Sequence, residues 1–248
     1  MSPRALLLTS DFLRHEYVAT QVAGALDLAG VWQERKPFKP LSYASSPDDA
    51  GVIAAHFEAR DRSETEHFAP QGDAPTAVST VRRLVPSGGC NDPDEVARMR
   101  ALEPDVVLVF GTQILRDEVI AVFDGRIINL HLGLSPYYRG AGTNFWPLVN
   151  REPEMVGATI HYLDRGVDSG DILSHVRPEI RAGDGPHDLG NRTIVVAVVA
   201  LVAAARAHTE GQARAVAQSG DGRLYKRKHF NADAVRALHT AFSLDRED

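Results

Sequence analysis

The stretch IINLHLGLSPYYRG, residues 127–140, decides the fold. Arg126 to Leu130 form a short apolar run of strand length, broken at Gly133, Ser135 and Pro136, with Gly140 and Gly142 just beyond. A strand that breaks this way leaves polar side chains at its carboxyl end. In an open α/β sheet, that is where ligands bind. Asn129 and His131 stand two residues apart, so the alternation of a strand puts them on one face. Asparagine offers amide donors to an oxygen that gains negative charge, and histidine exchanges protons near neutral pH. Taken alone, such a pair is more often a satisfied strand-end histidine beside a turn-forming asparagine.

Its neighbours carry the reading further. Asp105 to Phe110, DVVLVF, is an apolar run of strand length suited to burial on both faces of a parallel sheet. Arg4 to Thr9 read as a first strand, His15 to Ala29 as a helix, and Val31–Trp32 as the start of a second strand. Residues 34–48 read as a surface loop, 47–68 as one or two helices whose ARDRSETEH end is solvated, and 70–76 as a loop. Val81 to Val85 is a short strand, Asp92 to Leu102 a capped helix, and Leu115 to Phe123 another helix. Val156 to Leu173 alternates through Ile160 and Tyr162, turns at Asp164, Gly166, Asp168 and Gly170, and resumes at Ile172. Strands alternating with helices indicate an α/β fold, a doubly wound, Rossmann-like, mostly parallel sheet. Gly185 to His208 is a long buried helix, giving a catalytic domain over 1–210 and a tail with a short helix over 211–248.

These residues resemble the folate-dependent formyltransferases, a family that includes the glycinamide ribonucleotide, methionyl-tRNA and nucleotide-sugar enzymes. The resemblance rests on Asn129-x-His131, the turn Pro136, Arg139, Gly140, and, about three dozen residues later, Val167-Asp168-x-Gly170. It covers residues 100–180 well. Gly133 and Ser135 depart from it, since the family more often has Ser and Leu there. The resemblance implies catalytic roles for Asn129, His131 and Asp168, with 10-formyltetrahydrofolate as co-substrate. It also implies a folate site walled by backbone groups of Thr112, Gln113 and Leu115 on one side and by Asp164, Arg165 and Val167 on the other. Tyr137, Arg139 and Trp146 are the candidates for contact with the acceptor. In place of the Gly-Ser phosphate loop of ribonucleotide-binding members stands TSDFLRHEY, residues 9–17.

Composition narrows the classes. The chain has 248 residues, 44% of them hydrophobic, and a mean hydropathy of −0.20, a globular rather than a membrane composition. A single cysteine, Cys90, excludes an internal disulfide and suits a reducing compartment, and the amino terminus lacks a signal-peptide pattern, so a cytoplasmic protein is expected. The net charge of −6 argues against a nucleic-acid partner. No metal-ligand spacing, Gly-x-Ser-x-Gly elbow or dinucleotide Gly motif occurs. The basic aromatic tail around Tyr225, Lys226, Arg227, Lys228 and Phe230 is a candidate for the substrate end or for a homodimer contact. About forty residues follow the long helix, too few for the carboxy-terminal barrel of tRNA-acting members. The expected activity is N-formylation of a small anionic amine, a nucleotide-linked amino sugar, with glycinamide ribonucleotide as runner-up. A 10-formyltetrahydrofolate hydrolase and a non-catalytic folate-binding module are the alternatives of other classes.

Overall fold

A computed structural model describes residues 2–69, 76–220 and 222–244. Seven strands form one sheet: β1 (Arg4–Ser10), β2 (Asp27–Arg35), β3 (Arg82–Pro86), β4 (Val106–Val109), β5 (Ile127–His131), β7 (Ala158–Tyr162) and β8 (Ile172–Val176). Two short strands, β6 (Tyr138–Gly140) and β9 (Arg223–Tyr225), pair with each other. The helices are α1 (Leu13–Ala25), α2 (Pro47–Phe68), α3 (Thr76–Val81), α4 (Pro93–Ala101), α5 (Asp117–Val122), α6 (Trp146–Val149), α7 (Pro186–Thr209) and α8 (Ala232–Leu244). The sheet runs in the order β3-β2-β1-β4-β5-β7-β8, parallel through β5, with β7 antiparallel to both its neighbours.

The continuous apolar runs follow from a sheet covered on both faces. Ala5 and Leu7 of β1 pack with Val18 and Val22 of α1 and Ile194, Ala197 and Leu201 of α7. Leu6 and Leu8 face the other way, among Met99 of α4 and Val119, Ile120 and Phe123. Leu7 is fully buried, and truncating such a side chain to Ala costs about 2–5 kcal/mol. The same parity aims the site. On β5, Ile128 and Leu130 belong to the α7 layer and Ile127 to the α5 layer. Asn129 and His131 therefore point to the α5 side, at the carboxyl end of the strand. On β7, Ala158 and Ile160 take the α7 side, which leaves Thr159 and His161 on the face of Asn129.

Several boundaries differ from the sequence reading. Helix α1 ends at Ala25, because Leu26 turns extended and Asp27 pairs with Arg4. β2 thus begins four residues before Val31, despite the polar and glycine-containing start of DLAGVWQER. Val81 closes α3, and β3 starts at Arg82 as a polar edge strand. Helix α2 is a single helix, capped where Ser46 accepts the Asp49 N–H at 3.1 Å. The loop read at 70–76 lies, up to residue 75, outside the described residues. Asp92 caps α4 by accepting the Asp94 and Glu95 N–H groups. Helix α7 has the length and apolarity of a membrane span, but Leu189, Ile194, Val198 and Leu201 are buried inside the protein. The tail is docked on the domain: Val235 of α8 packs with Ile53, and Leu238 with Leu148, Val156 and Leu189.

Candidate active site

Asn129, His131 and Asp168 meet at the carboxyl end of β5. His131 is 7% exposed; its Nε2 donates to Tyr138 O at 3.1 Å, and its Nδ1 lies 3.3 Å from Asp168 Oδ1. An oxygen therefore faces each ring nitrogen. Asp168 Oδ2 accepts the Gly140 N–H at 2.9 Å, so the central turn and the Val167-Asp168-x-Gly170 turn are joined through this carboxylate. Asp168 adopts φ +49°, the left-handed backbone that aspartate enters more readily than most non-glycine residues. Gly170 shows how tight that turn is: a Cβ there would lie 1.8 Å from Tyr162 O.

A fourth residue, which sequence reasoning passed over, belongs to the site. His161 is fully buried on β7, directly across from Asn129 in the antiparallel register. Its Nδ1–H donates to Tyr162 O at 2.8 Å, which makes Nε2 an acceptor for the Asn129 amide at 3.0 Å. Burial holds the His161 pKa below the ordinary histidine value, despite Asp168 Oδ1 at 3.9 Å. A neutral His161 thus fixes the Asn129 amide and leaves its second N–H for another acceptor. The central turn is shaped by Thr159, whose hydroxyl donates to Gly133 O at 2.6 Å and accepts the Ser135 N–H at 2.9 Å. Gly133, where this chain departs from the family pattern, has no space for a side chain: a Cβ would meet His131 Nε2 and Thr143 Cβ at 2.6 Å.

Arg165, of one expected folate wall, places its Nε 3.8 Å from Asp117 Oδ2, at the start of α5 two residues past Leu115 of the other. Thr112 is half-buried and Gln113 exposed, but the Gln113 N–H is already given to the buried Glu34 carboxylate at 2.8 Å. The Leu115 side chain is core, 6% exposed among Val119 and Phe123, so only its backbone can serve a ligand. Ile114 carries the apolar surface of this wall, 80% exposed, and Val167 does so on the other. Asp164 organises its own turn, accepting from Gly166 N–H and from the Ser169 hydroxyl at 3.0 Å.

Next to the central turn lies a cavity of about 300 Å³. Phe38, Tyr43, Phe57, Phe145, Trp146 and Phe230 supply aromatic walls, and Arg14, Arg60, Lys226 and Arg227 supply positive charge. Glu64, its carboxylate, is 6% exposed and paired with Arg14 at 2.6 Å and with Arg60 at 3.6 Å. The end of α2 read as solvated therefore turns Arg60, Ser63 and Glu64 inward. Arg60 also lies over the Phe38 and Phe57 rings, at 4.7 and 4.8 Å. Trp146 is the more buried of the aromatic pair in the central turn, stacked on Tyr225 at 4.4 Å, while Phe145 faces His56 and Phe230. Tyr137 is 53% exposed and does not line the cavity; Arg139 is half-buried, its Nε without a hydrogen-bond partner.

The doubly wound sheet gathers an amide donor, an imidazole and a carboxylate at its carboxyl edge. The formyl transferase family profile matches residues 40–232, and the chain belongs to that folate-dependent family. The methionyl-tRNA formyltransferase of Salinispora tropica is 34% identical over 158 residues, 62% of this chain and 51% of that protein. The Caldanaerobacter subterraneus enzyme of the same name is 31% identical over 128 residues, 51% of this chain and 40% of that protein. The chain spans about half the length of these relatives or less. Among solved structures, a sugar N-formyltransferase from a Shewanella species superimposes with TM-score 0.61 at 17% identity, covering 96% of this chain and 87% of that one. Phosphoribosylglycinamide formyltransferase from Anaplasma phagocytophilum gives 0.58 at 15% identity, covering 92% and 100%.

Proposed function

We propose that the chain is an N-formyltransferase that moves the formyl group of 10-formyltetrahydrofolate to the primary amine of a small anionic acceptor, a nucleotide-linked amino sugar. The observation that carries the reading is the Asn129, His131, Asp168 constellation, with His161 locking the Asn129 amide. Exposed Ile114 and Val167, on loops bridged by Arg165 and Asp117, suit a flat ring with apolar faces; Thr112, Gln113, Leu115, Asp164 and Arg165 surround it with backbone and polar groups. The folate supplies the formyl group on a nitrogen leaving group. Asn129 offers its free N–H to the formyl oxygen as negative charge builds there; removing one such donor typically costs about 10²–10³ in rate. With its Nε2–H given to Tyr138 O, His131 takes the attacking amine's proton at Nδ1, the nitrogen that faces Asp168 at 3.3 Å, and the carboxylate stabilises the imidazolium until the proton passes to the leaving nitrogen.

The cavity supports the acceptor class: aromatic walls suit a planar base, and four cations against one doubly paired carboxylate suit phosphates. The named activities of the Shewanella structure and of the methionyl-tRNA relatives frame the test. Enzyme and 10-formyltetrahydrofolate are incubated with nucleotide-linked amino sugars, glycinamide ribonucleotide and methionyl-tRNA, and the products are weighed by mass spectrometry. Formylation of an amino-sugar nucleotide is expected. Efficient formylation of either other acceptor, with none of the sugars modified, overturns the assignment; formate release without any amine points to hydrolysis.

A further inference from the structure

The tail reaches the active site from behind. Val216 and Ile172 exchange two backbone hydrogen bonds, at 2.8 and 2.9 Å, which lays the tail along β8 and against the turn that carries Asp168. There Gln218 donates from Nε2 to Gly170 O at 2.7 Å and to Asp168 O at 3.0 Å. Farther on, Arg223 N–H donates to Tyr137 O at 2.9 Å, and Ala141 N–H donates to Tyr225 O at 2.8 Å. The approach is close enough that a Cβ at Gly222 would lie 1.5 Å from Pro136 O, and one at Gly140 2.2 Å from Tyr225 O. One segment therefore grips both turns that share the Asp168 carboxylate, the left-handed one at Asp168 and the one that presents the Gly140 N–H.

Two carbonyl oxygens converging on one point need donors, and a primary amide is the uncharged side chain that offers two N–H groups from a single nitrogen. We propose that Gln218 is a positioning residue for the reaction: it clamps the Asp168 turn so that the carboxylate stays within reach of His131. The tail is then a working part of the site. This rests on the reading of Asp168 as the reaction's carboxylate.

The test uses the full chain with Gln218→Ala and Gln218→Glu. At neutral pH the carboxylate of the second variant sets an acceptor against two acceptors, and protonation restores one O–H donor. Hydrogen exchange followed by mass spectrometry needs no acceptor. Amides of residues 163–171 are expected to exchange about tenfold faster in both variants, with residues 127–131 unchanged. With the acceptor in hand, kcat is expected to fall about 10²-fold, the loss typical of a displaced catalytic group. The activity of Gln218→Glu relative to the wild type is expected to rise as pH falls. Unchanged exchange at 163–171, or a kcat within about twofold of the wild type, overturns the proposal. Should Gln218→Ala not fold, a pH-independent activity ratio for Gln218→Glu overturns it. A wild-type chain that formylates nothing refutes the proposed function instead, and exchange at 163–171 still decides the role of Gln218.

Discussion

Replacing His161 by Phe separates its role from packing. The ring is fully buried and makes two hydrogen bonds, to Asn129 Nδ2 at 3.0 Å and to Tyr162 O at 2.8 Å. Phe fills much of the volume but leaves the Asn129 amide, itself 9% exposed, without its acceptor. An orphaned buried polar group costs about 1–3 kcal/mol, which in a chain of this size lowers Tm by roughly 2–12 °C. The larger effect falls on rate. An Asn129 amide free to rotate no longer presents its second N–H, so kcat should drop by about 10²-fold, the loss expected for an oxyanion donor. His161→Gln, which keeps an acceptor oxygen, should fall between the two. Calorimetry and steady-state kinetics on the three proteins measure both effects. A His161→Phe protein that is less stable yet turns over within about threefold of the wild type would refute the orienting role, because the hydrogen bond would then serve packing alone.

Acid should destabilise the protein through the histidines at the junction of α2, α7 and α8. Burial, then the neighbouring His187, His239 and Arg60 charges, lower the His56 pKa to about 3, and burial followed by Arg60 lowers that of His187 to about 4. The unfolded chain takes up these protons near pH 6.5, so the stability is complete above that pH and is lost as pH falls toward 4 and then 3, by up to about 1.4 kcal/mol per histidine per pH unit. Thermal melts from pH 7 to 4 should show the loss, and His56→Phe should flatten it; a pH-independent Tm contradicts the buried neutral state. Gly170→Ala should shift the Asp168 turn, since the new Cβ meets the Tyr162 carbonyl oxygen at 1.8 Å, and should cut kcat by about 10²-fold; undiminished activity would show that the turn relaxes freely. Arg60→Met keeps the packing on Phe38 and Phe57 but removes a cavity cation, and should raise the acceptor KM about tenfold with the folate KM unchanged. An unchanged acceptor KM would place the acceptor elsewhere.

The parts of the site that are local in sequence were legible. DVVLVF and IINLH are strands because unbroken apolar runs of that length bury on both faces, and the spacing of Asn129 and His131 sets their common side. The cap at Asp92 and the long α7 follow equally from local chemistry. Long-range pairing was not legible. His161 sits in the alternation of Ile160 and Tyr162, but nothing near it tells that β7 runs antiparallel and sets it opposite Asn129. The helical spacing of Leu26 and Ala29 continues past the end of α1, because Leu26 is buried as a strand neighbour rather than as a helix residue. Arg60 and Glu64 read as solvated because charge alone does not show that Arg14, fifty residues upstream of Glu64, waits to pair with it. Gln218 carries no motif; only the fold sets its amide between the Asp168 and Gly170 carbonyls.

The most direct test of the central claim compares wild type, His131→Asn and Asp168→Asn in transfer from 10-formyltetrahydrofolate to the accepted amine, with folate binding measured in parallel. The expected result is a formylated product, heavier by one CO unit, from the wild type only, with all three proteins binding folate with similar affinity. Wild-type turnover in either variant would remove that residue from the chemistry and with it the role assigned to the His131–Asp168 pair.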